Sequence, residues 1–195
     1  MQVVAGVDEV GRGPLAGPVV CAAVILPNSQ RQKWPMDLLK DSKQLSQPKR
    51  VAANAWIQEN ALAYSISIIS AQDIDIINIR QATLKGIKQC VKGLSIQPTK
   101  VMIDGMDAPI FDNQHLVVET VIKGDQTVAC ISAASIVAKV ARDTMMMAWD
   151  KDYPEYGFAQ HKGYPTVMHV KALKQFGPCH LHRKSFAPIR QFLVS

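Results

Sequence analysis

The chain has 195 residues, is 48% hydrophobic and carries a formal charge of +6 at neutral pH. That suits one compact domain with a real core and excludes a disordered chain. The longest uncharged apolar stretch, Leu15 to Leu26, is broken by Gly17 and Pro18 and is too short to span a bilayer.

The elements follow in order. VVAGVDEV (3–10) predicts a strand over about residues 2–10, and a second strand over about 18–26 pairs with it as a hairpin across GRGPLAG. A loop over 27–45 precedes a helix over 46–60, with Ser46 placed to cap and Pro48 in the first turn. AYSISIIS (63–70) alternates as a strand. A helix over 71–93 follows, its apolar stripe being Ile76, Ile79, Thr83, Ile87 and Val91. VMIDG (101–105) predicts a short buried strand and HLVVETVIKGD (115–125) a fifth strand ending at Asp125. A long helix over 127–149 and an amphipathic helix over 166–176, stopped by Gly177 and Pro178, complete the order. It predicts an α/β fold, a mixed sheet covered on both faces by helices, with a small basic helical C-terminal part. Residues 156–195 hold Lys162, Lys171, Lys174, Arg183, Lys184 and Arg190, four of the five histidines and no acid. Such a face suits a polyanion, and equally a merely solvated surface. The N-terminus lacks the basic region of a signal peptide. Cys21, Cys90, Cys130 and Cys179 are scattered, which predicts reduced thiols, no zinc site and a cytoplasmic protein.

Two acids inside the first core strand need a partner, because an unpaired buried carboxylate is costly. Asp8, Asp104 and Asp125 each end a predicted strand, and in open α/β sheets such ends face the ligand crevice. Three carboxylates meeting there without a Cys/His cluster favour Mg²⁺ or Mn²⁺. Each aspartate has a plainer reading as a turn former, and Asp125 as a cap for the helix at 127. Glu9 is awkward: neighbours on a strand point to opposite faces, so it needs a bulge or acts through its backbone or a water. GRGPLA fits G-x-G-x-x-A, but a β-branched run follows where a dinucleotide site needs a helix. A glycine turn presenting amides and Arg12 to a phosphate or sugar fits better.

DEVGRGPLAG (8–17), DSKQLS (41–46), NIRQAT (78–83), IDG (103–105), KGD (123–125), ISAASIVAKVARD (131–143), YGFAQHKGYPT (156–166) and HRKSF (182–186) together resemble bacterial ribonuclease HII, a type 2 ribonuclease H. The resemblance implies an RNase H-like fold with a mixed five-stranded sheet, a catalytic core over 1–150 and a C-terminal substrate-binding region over 151–195. It implies an endonuclease that cuts RNA in RNA/DNA hybrids and at single ribonucleotides embedded in duplex DNA. The family's four acids fall on Asp8, Glu9, Asp104 and Asp125, acting with two Mn²⁺ or Mg²⁺ ions. Its glycine-arginine-glycine motif falls on Gly11, Arg12 and Gly13, and its junction-sensing tyrosine on Tyr164. Asp143 is expected to be structural. Lys43, Lys162, Arg183, Lys184 and Ser185 are candidate phosphate contacts, in a monomer that needs no protein partner and no membrane. The rival readings are a structure-specific or transposase-like nuclease of the same fold, and a nucleic-acid-binding module whose acids are structural.

Overall fold

The computed structural model describes residues 2–27 and 45–193. Strand β2 (Val19–Ile25) is buried along its whole length, which explains its unbroken apolar sequence: both of its faces are covered. Its even positions, Val20, Ala22 and Val24, pack with Ala53 and Ile57 of α1 (Gln47–Asn60) and Ala133 to Ala138 of α4 (Ala129–Asp152). Its odd positions, Cys21, Ala23 and Ile25, meet Ile87, Cys90 and Val91 of α2 (Ala71–Lys92). Removing such a side chain from water is worth about 1.5–3 kcal/mol, so these two layers fix the register of the sheet.

The sheet order is β3-β2-β1-β4-β5, with β1 (Val4–Val10), β3 (Ala63–Ile69), β4 (Lys100–Asp104) and β5 (Val117–Val121). β2 runs antiparallel to β1 and β3, while β1, β4 and β5 are mutually parallel. The expected mixed five-stranded sheet is therefore present. Gly6 lets α4 rest on β1, since a Cβ there would lie 2.1 Å from the backbone carbon of Cys130. No helix among the described residues is long and apolar enough to cross a membrane.

Three details depart from the sequence reading. Ser46 takes the cap position of α1 without a side-chain hydrogen bond. Asn78, at φ 65°, kinks α2 and accepts the Gln81 amide as a local cap. The kink breaks the apolar stripe, and Ile76 is 81% exposed. β5 stops at Val121, and the chain turns through Lys123 (φ 55°) into a short helix α3 (Gly124–Thr127).

The C-terminal part adds α5 (Phe158–His161), α6 (Val167–Phe176) and α7 (Ala187–Arg190). Its core joins Tyr156, Phe158, Leu173, Leu181 and Ile189 to Leu15, Ala16 and Met146. Buried with them are His161, His169 and His182. Burial lowers the last two to about 4. An unfolded histidine titrates near 6.5, so as pH falls from about 6.5 to about 4 the unfolded chain binds protons that the native one refuses. Stability present above that window is lost through it and levels off below. His169→Asn is expected to show a shallower loss of urea midpoint between pH 7 and pH 5 than the unsubstituted protein. Comparing the two cancels the carboxylate contributions, and equal slopes would contradict the assignment.

Candidate active site

β1 and β4 are parallel neighbours in register Val7↔Ile103, so the next residues, Asp8 and Asp104, stand side by side at the C-terminal edge of the sheet. β5 pairs Val121 with Asp104 before the turn into α3. There Asp104 Oδ1 accepts the backbone N–H groups of Gly124 (2.7 Å) and Asp125 (3.4 Å), which draws Asp125 back toward the strand ends. Asp8, Asp104 and Asp125 each offer an oxygen within 4.8 Å of the others. The expected convergence is there, with Asp125 delivered by a helical turn rather than by a strand end.

Electrostatics disfavour a bare carboxylate on Asp8 and on its neighbour Glu9. Burial, then Glu9 and Asp104, push Asp8 well above the usual carboxylate range, against hydrogen bonds from the Ser135 hydroxyl and the Glu9 amide. Glu9 is raised too, chiefly by burial, with Arg12 opposing. Converging carboxylate oxygens, with Asp8 and Asp125 buried, form the donor set that hard divalent cations complete. The β1 register is regular from Gly6 to Val10, so no bulge turns Glu9 onto the trio. Its carboxylate instead meets Arg12 at 3.4 Å and, with Asp104, Arg80 and Asp107, lines an adjoining cavity of about 360 Å³.

Beside the acids lies the glycine turn, and two arginines that sequence reading missed as its supports hold it. Arg142 is fully buried and donates to the carbonyls of Pro18 (2.9 Å), Ala16 (3.0 Å) and Lys162 (2.9 Å). Arg183, equally buried, donates to the carbonyls of Gly17 (2.9 Å), Arg12 (2.9 Å) and Gly11. Burial lowers them to about 10 and about 9, so both remain cations at neutral pH and place positive charge under the turn. Gly11, at φ 94°, has no room for a side chain: a Cβ would lie 2.3 Å from Arg142 Nε. Tyr164 is 39% exposed and stands next to Gly13, its Cε1 3.8 Å from where a Cβ would be. The signal for Arg142 was its place on the buried stripe of α4 with Ser135, Ala138 and Met146.

Among the basic candidates, Arg183 is corrected: its guanidinium is spent on main-chain carbonyls and cannot reach solvent phosphate. Lys162 turns its ammonium onto the Ala159 carbonyl and is partly buried. Lys184 is exposed, while its amide and that of Ser185 donate to Asp75 at 2.9 and 2.8 Å. Lys43 lies outside the described residues. Asp143 pairs with Lys139 at 2.8 Å and Arg50 at 3.7 Å, away from the trio's ligand set.

The family model for ribonuclease HII matches residues 5–189. The chain belongs to the ribonuclease HII family. It is thereby an endoribonuclease, a hydrolase. It is 50% identical over 192 residues to a ribonuclease HII of Nitrosococcus oceani, covering 98% of this chain and 92% of that protein. A ribonuclease HII of Vibrio cholerae is 51% identical over 190 residues, 97% of this chain and 89% of its own length. The crystal structure of ribonuclease H2 from Pyrococcus horikoshii superposes with a TM-score of 0.82 at 26% identity, covering 98% and 97% of the two chains. Ribonuclease HII membership thus spans the sheet, the acid trio and the C-terminal part together.

Proposed function

We propose that this chain hydrolyses RNA in RNA/DNA hybrids, and incises on the 5′ side of single ribonucleotides in duplex DNA, leaving a 3′-hydroxyl and a 5′-phosphate. The observation that carries the reading is the meeting of Asp8, Asp104 and Asp125 within 4.8 Å, in a chain that matches ribonuclease HII along nearly its full length. The three carboxylates are the residues that would hold a pair of Mn²⁺ or Mg²⁺ ions, and their oxygen-only set fits them. Bound divalent ions supply an activated water and neutralise charge on the leaving oxygen. Glu9, held by Arg12 at the cavity wall, helps to order water.

The main chain of Gly11 to Gly13 comes close enough to a sugar to hydrogen-bond a 2′-hydroxyl, the group that separates RNA from DNA. Tyr164 packs on the sugar of the following deoxynucleotide and so favours the RNA–DNA junction. Residues 151–195 serve as the substrate-binding part, with Lys43, Lys184 and Ser185 along the duplex. The protein acts as a cytoplasmic monomer without an obligatory protein partner.

The test is a DNA duplex carrying one ribonucleotide, incubated with Mg²⁺ or Mn²⁺ and with chelator. Metal-dependent incision 5′ of the ribonucleotide is expected; cleavage of all-DNA duplex, or binding without turnover, would replace the proposal with one of its rivals. Tyr164→Ala is expected to lose about tenfold or more in kcat/KM on that substrate, the equivalent of ~1.4 kcal/mol, with Mn²⁺ affinity unchanged. Equal cleavage by the variant would dismiss the tyrosine's role.

A further inference from the structure

His161, His169 and His182 lie outside the acid trio, and every one of their six ring nitrogens has a hydrogen-bond partner. The backbone partners fix where the protons sit. The Gly163 N–H donates to His161 Nδ1 (3.1 Å), so His161 carries its proton on Nε2 and gives it to the Tyr156 carbonyl (2.7 Å). The Cys179 N–H donates to His182 Nδ1 (3.0 Å), so His182 is protonated on Nε2 and donates to His169 Nε2 (3.0 Å). His169 therefore holds its proton on Nδ1 and donates it to the Tyr164 carbonyl (3.0 Å).

The opposite tautomers fail. A proton on His182 Nδ1 could reach the Cys179 carbonyl at 3.3 Å or its Sγ at 3.2 Å, but it would face the Cys179 N–H. It would also leave a lone pair of His169 against the lone pairs of the Tyr164 carbonyl. Three neutral rings with one direction of donation are the arrangement that satisfies every group.

We propose that His169 is a positioning residue for Tyr164, and that this chain of imidazoles sets the tyrosine ring at its height over Gly13 and so sets the preference for an RNA–DNA junction. The inference rests on the reading of Tyr164 given under Proposed function. Tyr164 is gripped at both main-chain groups, its carbonyl by His169 (3.0 Å) and the Thr166 N–H (2.8 Å), and its N–H by the His161 carbonyl (2.9 Å). The rings of His161 and His169 stack at 4.4 Å, so one cannot tilt without the other. At its far end, His182 forms a β-bridge with Ala16, which belongs to the glycine turn itself. The two elements that would read the sugar pair thus share one hydrogen-bonded frame. Leucine or phenylalanine could fill the same space beside Phe158. What imidazole adds is a donor aimed at one carbonyl.

Two substitutions matched in polarity separate positioning from packing. In His169→Asn the side-chain amide takes the place of Nδ1–H and keeps the donor to Tyr164. In His169→Gln the amide reaches the Nε2 position and keeps only the partner of His182. The measured quantity is the ratio of kcat/KM on a single embedded ribonucleotide to that on a continuous RNA/DNA hybrid. His169→Gln is expected to lower this ratio about tenfold and His169→Asn less than about threefold, with Mn²⁺ affinity unchanged in both. Adding His169→Gln to Tyr164→Ala is expected to lower the ratio no further, because the ring being positioned is gone.

Equal ratios for the Asn and Gln variants overturn the proposal. So does an unchanged ratio in His169→Gln when Tyr164→Ala has collapsed it, an outcome that leaves the reading of Tyr164 standing. An unchanged ratio in Tyr164→Ala removes that reading, and this inference with it. Where His169→Gln does not fold, His182→Asn breaks the chain one ring further away. It is expected to lower the ratio about threefold, and no change there is equally fatal.

Discussion

Asp104→Asn is expected to abolish cleavage, by about a thousandfold or more (~4 kcal/mol of transition-state stabilisation), while the fold survives. Asparagine keeps the Oδ1 that accepts the Gly124 and Asp125 amides, so the turn into α3 has no reason to open. Asp8→Asn should be as inactive, with a second signature of opposite sign. Asp8 is 6% exposed and repelled by Glu9 and Asp104, so its charge destabilises the cation-free protein. Removing that charge while keeping an acceptor for the Glu9 amide and Ser135 should stabilise it by about 1–2 kcal/mol, roughly 2–8 °C in Tm for a chain of this size. Saturating Mn²⁺ should cancel or reverse the gain, because only the unsubstituted protein then collects the binding energy. Paired melting curves with chelator and with Mn²⁺ decide it. An asparagine variant at near wild-type rate, or an Asp8→Asn protein no more stable in chelator, would remove the trio from the chemistry.

Arg183→Met should cost about 3–5 kcal/mol of stability, since the carbonyls of Gly11, Arg12 and Gly17 lose their shared cationic donor. Arg183→Lys should recover only part of the loss. An ammonium is a point donor on a flexible stem and cannot serve three carbonyls in the plane that the guanidinium occupies. In the lysine variant, hybrid cleavage should fall more than Mn²⁺ affinity, because the glycine turn is displaced while the acids stay on their strands. Urea unfolding measures the first effect; a Mn²⁺ titration beside kcat/KM measures the second. A lysine variant with unchanged stability would show that the turn holds itself.

The sheet was legible because its causes are local and periodic. β2 is apolar on both faces, and Asp8, near the end of β1, and Asp104, at the end of β4, break the apolar pattern. Asp125 was legible as a site residue but not in its setting: the left-handed Lys123 and the pull of Asp104 on the next two amides are what end β5 early. The kink at Asn78 was hidden for a similar reason, since an asparagine in a helical pattern does not announce a positive φ. Arg183 misled most. A basic residue in a basic, acid-free tail reads as a phosphate contact, and nothing in the side-chain pattern records that its partners are main-chain oxygens up to 172 positions away. The neutral histidine chain was hidden by the same tail, where four histidines read as latent charge.

That long reach has a consequence for synthesis. The carboxylates are all made by residue 125, but the glycine turn's partners His182 and Arg183 follow only much later in the chain. A growing chain on the ribosome would therefore own its reactive end well before it owned a shaped place for a sugar. The order of manufacture places the reactive end ahead of the surface that would select its substrate.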